Sequence, residues 1–413
     1  MNKTVVILGT MDTKGLEFSF LDEQIRSRGI NTLIVDTGIR GTPVLKPDIT
    51  RDELAAAAGT TIEEVAHSGG EAKAIETMSR GAIAVVQELY RSGKLHGIIS
   101  LGGSLGTTMG TAVMRSLPFG VPKVMVSTMA SGDTRNYVGS KDIAMIYSVT
   151  DIIGLNRMTR RVLANAAGAI AGMVMADIGQ QPSTKPLIAI TTLGAMRCVL
   201  QAKEILEDKG YEVVVFHTVG SGGRAFEATI GEGLVDGVID MTTNELGNNL
   251  FGGALDAGPS RLEAAGKKGI PQVVGPGIAD IVAFTPPEAV PEKFRNRTII
   301  KHNPFMVVLP LAKEEMSLLA TTMAEKLNRA TGPTAVIMPT KGFSPGGREG
   351  RPFYDPERDR HFIDTLKKSL KADITFVEIE AYINDPVVAE KATSLLLDFM
   401  EQKGVAAPKG RHH

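Results

Sequence analysis

The sequence predicts an α/β protein made of two Rossmann-like, open parallel-sheet domains that arose by internal duplication. The opening residues are echoed about 180 residues later: Val6–Leu8 falls on Leu187–Ala189, and Gly29 falls on Gly210. Both copies follow the order strand, loop, helix, strand, which is typical of stacked β-α-β units. The chain has 413 residues, more than one hydrophobic core usually holds, which favours two or three domains.

The first domain is predicted to span residues 1–180. A strand at 5–9 leads into a helix at 16–28, whose apolar residues recur at helical spacing and which ends at a glycine. A long helix at 154–177 closes the domain. The other strands are predicted at 32–36, 97–101, 123–127 and 143–148.

The second domain is predicted to span residues 187–403, after a boundary segment at 179–186 that is rich in proline, glycine and glutamine. Residues 404–413 read as a disordered tail, and we give its two histidines no role. The domain's strands are predicted at 187–191, 212–216, 237–241, 272–275, 298–301 and 335–339. A C-terminal part without counterpart in the first domain adds helices at 360–371 and 387–402 and a strand at 374–379.

Composition narrows the classes of partner and compartment. Lys and Arg number 45 against 46 Asp and Glu, Trp is absent and aromatic residues make up 5%, so nucleic acid is not an expected partner. The longest apolar stretch, near residues 166–176, is too short to span a bilayer. A single cysteine, Cys198, cannot form an internal disulfide, and a cytoplasmic location is expected.

The loop after the first strand, GTMDTKG, combines glycine, hydroxyls, an acid and a lysine. Glycine lets a ligand approach the backbone, and the helix that follows begins with unpaired N–H groups that attract an anion. An acid here could hold magnesium through water. The alternative is that Asp12 or Thr13 caps the helix. The predicted ligands are Gly9, Thr10, Asp12, Thr13 and Lys14, with Asp12 also a predicted metal ligand.

The loop after the third strand, LGGSLGTTMG, resembles a phosphate cradle, although it matches neither the Walker A nor the dinucleotide pattern. A tight turn that lets a helix pack on the sheet is the alternative. The run also fits the G-x-S-x-G pattern of a hydrolase, with Ser104 as nucleophile and His302 or His361 as base. The predicted cofactor ligands are Gly102, Gly103, Ser104, Gly106, Thr107 and Thr108.

The next two strand ends carry further candidates. Asp133, in the loop STMASGDT, is a predicted metal or ribose ligand, with an Asx-turn as the alternative. Asp36 ends the second strand, where an acid commonly binds a ribose hydroxyl.

In the second domain, polar residues at four predicted strand ends indicate a substrate site. The predicted acid–base residues are His217, Asp240, Glu245 and His302, and we expect them to face one cleft between the domains. The Gly/Pro/Arg-rich loop at 343–355 could act as a lid or be a plain surface loop.

The runs GTMDTKG, LGGSLGTT, STMASGDT and DIAMIYSVTDIIGLNRM together resemble the family of tomato mosaic virus resistance protein-like ATP-binding domains. The resemblance extends from residue 5 to about 403. It implies two Rossmann-like domains, a homodimer, and ATP with magnesium bound by the first domain. The plant member carries a further C-terminal domain, so a separate partner protein could replace it. The implied ATP-site residues are Gly9, Thr10, Asp12, Thr13, Lys14, Gly102, Gly103, Ser104, Gly106 and Thr107, together with Thr128, Ser131, Gly132 and Asp133.

We therefore expect a cytosolic protein that binds ATP and magnesium. A further expectation is an enzyme that acts on a small anionic metabolite in the cleft between its two domains. One alternative is a nucleotide-independent enzyme acting on a sugar phosphate or carboxylate, or a serine hydrolase using Ser104. Another is a non-catalytic partner protein gated by nucleotide.

Overall fold

The computed structural model describes residues 3–176 and 185–405, and the chain divides into two compact units, residues 1–180 and 181–413. We call them unit 1 and unit 2. Most of the predicted boundary segment 179–186 and of the predicted tail 404–413 lies outside the described residues. Within the described ranges, no helix is long and apolar enough to cross a membrane.

Unit 1 is a five-stranded, fully parallel sheet covered by helices on both faces. Its strands are β1 (Thr4–Gly9), β2 (Asn31–Asp36), β3 (Gly97–Gly102), β4 (Lys123–Ser127) and β5 (Ala144–Tyr147). Its helices are α1 (Gly15–Arg26), α2 (Arg51–Ala57), α3 (Ile62–Ala66), α4 (Glu71–Arg91), α5 (Ser104–Arg115), α6 (Arg135–Val138) and α7 (Arg157–Met175).

The strand order of unit 1 is β2-β1-β3-β4-β5. The order reverses between β1 and β3, which flank the position where α/β sheets of this order bind ligands. Burial of both faces explains the continuous apolar strands: Val6 and Leu8 pack with the core on one face, and Val5 and Ile7 with the core on the other. The carboxyl ends of all five strands therefore meet at one edge.

Unit 2 contains a six-stranded parallel sheet and a separate three-stranded antiparallel sheet. Its strands are β6 (Leu187–Thr192), β7 (Glu212–His217), β8 (Gly237–Thr242), β9 (Gln272–Gly277), β10 (Ile281–Phe284), β11 (Ile300–Asn303), β12 (Met306–Pro310), β13 (Thr334–Pro339) and β14 (Thr375–Ile379). Its helices are α8 (Met196–Asp208), α9 (Ser221–Gly231), α10 (Asn244–Phe251), α11 (Ala264–Lys268), α12 (Lys313–Leu327), α13 (Pro356–Ser369) and α14 (Pro386–Gln402).

The parallel sheet of unit 2 has the order β14-β13-β9-β8-β6-β7, so its first four strands repeat the arrangement of β1 to β4 in unit 1. The predicted fold class is confirmed. The predicted strand at 298–301 is misplaced: β11 pairs antiparallel with β12 in the small sheet, and β13 takes the fifth place. The reason is polarity, because Lys301, His302 and Asn303 are exposed and a strand inside a doubly covered sheet needs apolar residues on both faces.

The loop after the first strand differs in length between the two units. Gly9 at the end of β1 pairs with Asp36, and Thr192 at the end of β6 pairs with His217. The helices that follow begin at Gly15 and Met196, so unit 1 has two more residues in this loop. The expected match of Val6–Leu8 with Leu187–Ala189 is therefore two residues off, because the extra residues lie between strand and helix.

Candidate functional site

A cavity of about 300 Å³ lies in unit 1 at the carboxyl ends of β1, β2 and β3. Its inner wall is apolar and includes Ile39, Ile75 and Met109, whereas Thr10 and Arg40 give it polar sides. The cavity coincides with the reversal of strand order between β1 and β3, the expected ligand position in such a sheet. Size, mixed polarity and position together make it the candidate site.

Two helix N-termini open onto this cavity. Helix α4 begins after Gly70 and helix α5 begins after Gly103, and no side chain in the described part of the chain caps either helix. Gly70 and Leu105, each at one of these N-termini, line the cavity. Uncapped N-terminal N–H groups and the positive end of the helix dipole attract anions. The carboxylate of Glu71, in the first turn of α4, also lines the cavity and opposes this attraction there, so the start of α5 is the wall that favours negative charge more strongly.

The first predicted loop is split between ligand-facing and structural residues. Thr10 and Thr13 line the cavity, and their hydroxyl oxygens lie 2.7 Å apart. Lys14, predicted as a phosphate ligand, instead donates from Nζ to the carbonyl of Ile152. A Cβ on Gly9 would lie 1.9 Å from Cζ of Phe18, so this glycine is required by packing as well as lining the cavity.

Asp12 and Asp36 are joined by Arg51. Asp36 is fully buried and its Oδ1 accepts from the backbone N–H groups of Met11 and Gly38, at 3.0 and 2.8 Å. Arg51 Nε lies 3.2 Å from Asp36 Oδ2, and Arg51 Nη1 lies 3.8 Å from Asp12 Oδ2. The predicted ribose role of Asp36 does not fit a carboxylate closed off from solvent. Asp12 lines the cavity, and its buried Oδ1 has no hydrogen-bond partner in the described part of the chain.

The second predicted loop has a structural role at Gly102 and at Thr107. Thr107 is fully buried, and its hydroxyl lies 2.6 Å from that of Ser127. A Cβ on Gly102 would lie 2.9 Å from Cα of Gly106, which itself lines the cavity. The hydroxyl of Thr108 donates to the carbonyl of Ser104. Of the residues predicted for this cradle, Gly106 lines the cavity, whereas the hydroxyls of Thr107 and Thr108 are engaged within unit 1.

The structure does not provide the turn that the hydrolase alternative requires at Ser104. A nucleophile elbow places its serine in a strained turn, but Ser104 is the first residue of α5 and is not among the described residues with positive φ. His361 Nε2 lies 2.6 Å from the hydroxyl of Ser317.

The third predicted loop lies outside the cavity lining. Asp133 is exposed, and hydrogen bonds from Arg135 lower the pKa of its carboxyl to about 2. Both of its oxygens are engaged by Arg135, so it does not fit the predicted metal role. Thr128 is half-buried, whereas Ser131 and Gly132 are exposed. Among residues 3–176 and 185–405, no group of three or more His, Cys, Asp or Glu is placed to hold a metal ion.

In unit 2, two of the four predicted acid–base residues meet on an arginine that the sequence analysis missed. Arg261 is fully buried and donates to Asp240 and Glu245, with Nε 2.7 Å from Glu245 Oε2. Its Nη1 also lies 3.3 Å from Glu227 Oε1. Burial raises the pKa of the carboxyls of Glu227 and Glu245, and the positive charge of Arg261 opposes that rise.

The two predicted histidines do not join this cluster. His217 is exposed at the end of β7, and His302 is exposed on the antiparallel sheet instead of at an end of the parallel sheet. The expectation that all four residues follow strands of one sheet is therefore wrong for His302. Arg261 lies in a loop with no recognisable pattern in the sequence, and only the burial of Asp240 and Glu245 in the structure shows that a buried cation is needed there.

A second buried network in unit 2 centres on Asp280. Its Oδ2 accepts from the hydroxyl of Ser344 at 2.7 Å and lies 3.7 Å from Nη2 of Arg358. Arg358 in turn donates to Asp359 Oδ1 at 2.7 Å. This network fixes the predicted lid loop: a Cβ on Gly347 would lie 2.6 Å from Asp280 Oδ2.

Known proteins similar to this chain were found by sequence and by structure. A UPF0261 protein of Clostridium tetani (strain Massachusetts / E88) is 46% identical over 404 residues, which cover 97% of this chain and 100% of the relative. The ToMV resistance protein Tm-1(GCR237) of Solanum lycopersicum is 35% identical over 434 residues, which cover 99% of this chain and 56% of that protein. The structure of a UDP-N-acetylglucosamine 2-epimerase from Rickettsia bellii is 12% identical and covers 66% of this chain and 79% of that chain, with a TM-score of 0.24, too low to carry an argument.

Family models account for nearly the whole chain. Residues 3–179 match the model described as "Uncharacterised protein family (UPF0261) N-terminal domain", and residues 185–400 match its C-terminal domain. The resemblance inferred from the loop motifs is confirmed by the tomato relative. The chain belongs to the uncharacterised protein family UPF0261.

Proposed function

We propose that unit 1 binds ATP in the cavity at the carboxyl ends of β1, β2 and β3. The observation that carries the proposal is the convergence of two uncapped helix N-termini on a cavity whose inner wall is apolar. An adenine ring suits the apolar wall, and phosphate groups suit the helix N-termini. The resemblance of the loop motifs to ATP-binding domains supports the same ligand.

The phosphates would be held by side chains at the cavity wall as well as by backbone N–H groups. The hydroxyls of Thr10 and Thr13 and the exposed guanidinium of Arg40 are the groups available. Asp12 is the proposed magnesium ligand: it lines the cavity, but its Oδ1 is buried and only 4% of its side chain is exposed, so the carboxylate must turn toward the cavity to hold the ion through water. Bound magnesium would neutralise part of the phosphate charge.

The finer parts of the proposal concern assembly and chemistry. We propose a homodimeric cytoplasmic protein, with a separate partner protein supplying what the longer tomato relative carries in its remaining length. Turnover of ATP with candidate anionic metabolites would identify an enzyme, whereas binding without turnover would favour a nucleotide-gated partner protein. An activity that needs no nucleotide would favour a sugar-phosphate or carboxylate enzyme.

Leu105 offers a sharp test of where the phosphates lie. Its side chain is 48% exposed at the start of α5 and lines the cavity, so replacement should not disturb the core. Leu105→Glu favours the helix N-terminus but puts a carboxylate beside the proposed phosphates. Calorimetric titration should show ATP affinity reduced at least about tenfold in Leu105→Glu, equivalent to about 1.4 kcal/mol, because like charges would be brought together.

The matched control is Leu105→Gln, which has nearly the same shape without the charge and should keep ATP affinity within about threefold. Equal affinities of the Glu and Gln variants would reject this phosphate position. No binding by the unmodified protein, with or without magnesium, would reject the nucleotide itself.

A further inference from the structure

The equivalent ligand position in unit 2 is filled by the chain's own Arg261. Strands β3 and β8 both run for six residues, and both are followed after one residue by a helix, α5 or α10. In this alignment, Ser100 of unit 1 is equivalent to Asp240 of unit 2, and Leu105 is equivalent to Glu245. Ser100 and Leu105 line the cavity of unit 1, whereas Asp240 and Glu245 bind Arg261.

A third position follows the same correspondence. Leu8 of β1 pairs with Ser100 of β3 and also lines the cavity. Its counterpart in β6 is Thr191, since β1 and β6 end one residue later at Gly9 and Thr192. The Thr191 hydroxyl donates to Asp240 Oδ1 at 2.7 Å. Three cavity-lining positions of unit 1 thus correspond to Asp240 and Glu245, which accept from the guanidinium group, and to Thr191, which donates to Asp240.

The guanidinium group of Arg261 is recognised on all its nitrogens. Nη1 and Nη2 form a two-pronged contact with the carboxylate of Asp240, and Nη2 also donates to the carbonyl of Thr242 at 3.1 Å. Nε donates to Glu245, and Nη1 reaches Glu227. Its carbon lies 5.3 Å from the ring centroid of Phe226. Planar, forked contacts of this kind select a guanidinium over an ammonium group.

The carboxylates of Asp240 and Glu245 are held by groups other than Arg261. Glu245 Oε1 accepts from the backbone N–H groups of Gly220 and Gly223 at 2.7 and 3.0 Å. Asp240 is held by Thr191. The two main acceptors of a planar cation, the carboxylates of Asp240 and Glu245, are therefore positioned by hydrogen bonds that do not involve Arg261.

The backbone beside Arg261 is in an uncommon conformation. Leu262 has a φ of 71°, which is rare for a residue with a branched side chain, and it is buried. Its N–H donates to Glu227 Oε1 at 2.6 Å. Such an outlier persists where the surrounding contacts hold it, and here those contacts are the ones that place Arg261.

We propose that this position in unit 2, at the carboxyl ends of β6 and β8, is a guanidinium-binding site whose occupant is Arg261 of the same chain. The site takes guanidinium or amidinium cations and excludes the nucleotide proposed for unit 1. It is independent of whether unit 1 binds ATP.

The test is to remove the internal ligand and supply a free one. Arg261→Gly deletes the guanidinium group and leaves room for methylguanidinium. Low-millimolar methylguanidinium chloride should raise the melting temperature of this variant by several degrees, whereas sodium and methylammonium chloride should not. The unmodified protein should show no such rise, because its site is filled.

A second substitution identifies the receptor. Adding Asp240→Asn to Arg261→Gly should abolish the methylguanidinium response. If Arg261→Gly folds only when methylguanidinium is present, that result supports the proposal. The proposal is overturned if the response equals that to methylammonium, if it survives Asp240→Asn, or if Arg261→Gly stays unfolded with methylguanidinium while Arg261→Lys folds.

Discussion

Asp359 shows how burial sets the charge of a single residue in unit 2. Burial raises the pKa of its carboxyl to about 7, and Arg358 opposes the rise while Asp280 adds to it. Burial raises the pKa of Asp280 as well. Two buried acids share one arginine, so near neutral pH the folded network retains a proton that the unfolded chain releases.

Replacing Asp359 with Asn should flatten the pH dependence of stability. The unfolded carboxyl has a pKa near 3.8 and the folded one near 7, so the folded state binds the proton more tightly. This contribution is fully present below about pH 4 and is lost as the pH rises to about 7, a change on the order of 4 kcal/mol. The free energy of unfolding of Asp359→Asn, measured with urea, should fall much less over this pH range than that of the unmodified protein.

Asp364→Asn is the matched control for that measurement, because Asp364 lies on the exposed face of the same helix with 62% of its side chain exposed. It should follow the unmodified protein across the pH range. A slope in Asp359→Asn equal to that of the control would contradict the role of Asp359.

Arg40 rather than Lys14 is expected to contact the phosphates. Arg40 lines the cavity, and no described hydrogen bond or ion pair engages its guanidinium group, whereas Lys14 is held by Ile152. Arg40→Ala should weaken ATP about tenfold, in line with loss of a charge-assisted hydrogen bond, and should leave adenosine nearly unaffected. Calorimetry with both ligands measures the difference.

Lys46→Ala serves as the comparison, since Lys46 is an exposed cation of the same loop outside the cavity lining. It should bind both ligands like the unmodified protein. Parallel losses of ATP and adenosine affinity in Arg40→Ala would indicate a structural defect instead of a phosphate contact.

At the level of elements, the sequence predicts best where a pattern is local. The buried strands β1, β3, β8 and β13 are largely apolar, and their predicted positions agree closely with the structure. β11 was misassigned to the parallel sheet, although its polar residues Lys301, His302 and Asn303 are a local signal against a doubly covered strand.

The residues of the candidate site were also predicted best where they follow a strand directly. Thr10, Thr13 and the start of α5 follow strands directly and were predicted as ligand groups, and they do lie at the cavity. Gly70 and Arg40 were missed, because Gly70 precedes α4 in the segment between β2 and β3 and Arg40 lies in the loop after β2 outside any recognised motif. Lys14 and Thr107 looked like ligands because nothing in a motif reveals a hydrogen bond to Ile152 or Ser127.

For the whole molecule, the two units should differ in occupancy despite their shared strand order. In our proposals, the cavity of unit 1 binds the nucleotide, whereas Arg261 fills the equivalent position of unit 2. Titration of the intact chain with ATP should therefore give one nucleotide per chain. If the unmodified protein bound two nucleotides per chain and Leu105→Glu still bound one, the second nucleotide would lie in unit 2. That result would contradict the expected difference between the units. The shared cleft proposed between the units stays a prediction.

The helices α2, α3 and α4 between β2 and β3 also bear on how each unit reaches its folded state. Val5 pairs with Gly97 in unit 1, whereas Ile188 pairs with Gly237 in unit 2, so the paired residues are 92 and 49 positions apart. Closing the longer loop costs about 0.6 kcal/mol more in chain entropy. Because such pairing must precede the contacts that reward it, the central strands of unit 2 are expected to assemble sooner. The segment between β2 and β3, part of which lines the cavity, therefore also slows the pairing of β1 with β3, the two strands at whose ends the cavity lies.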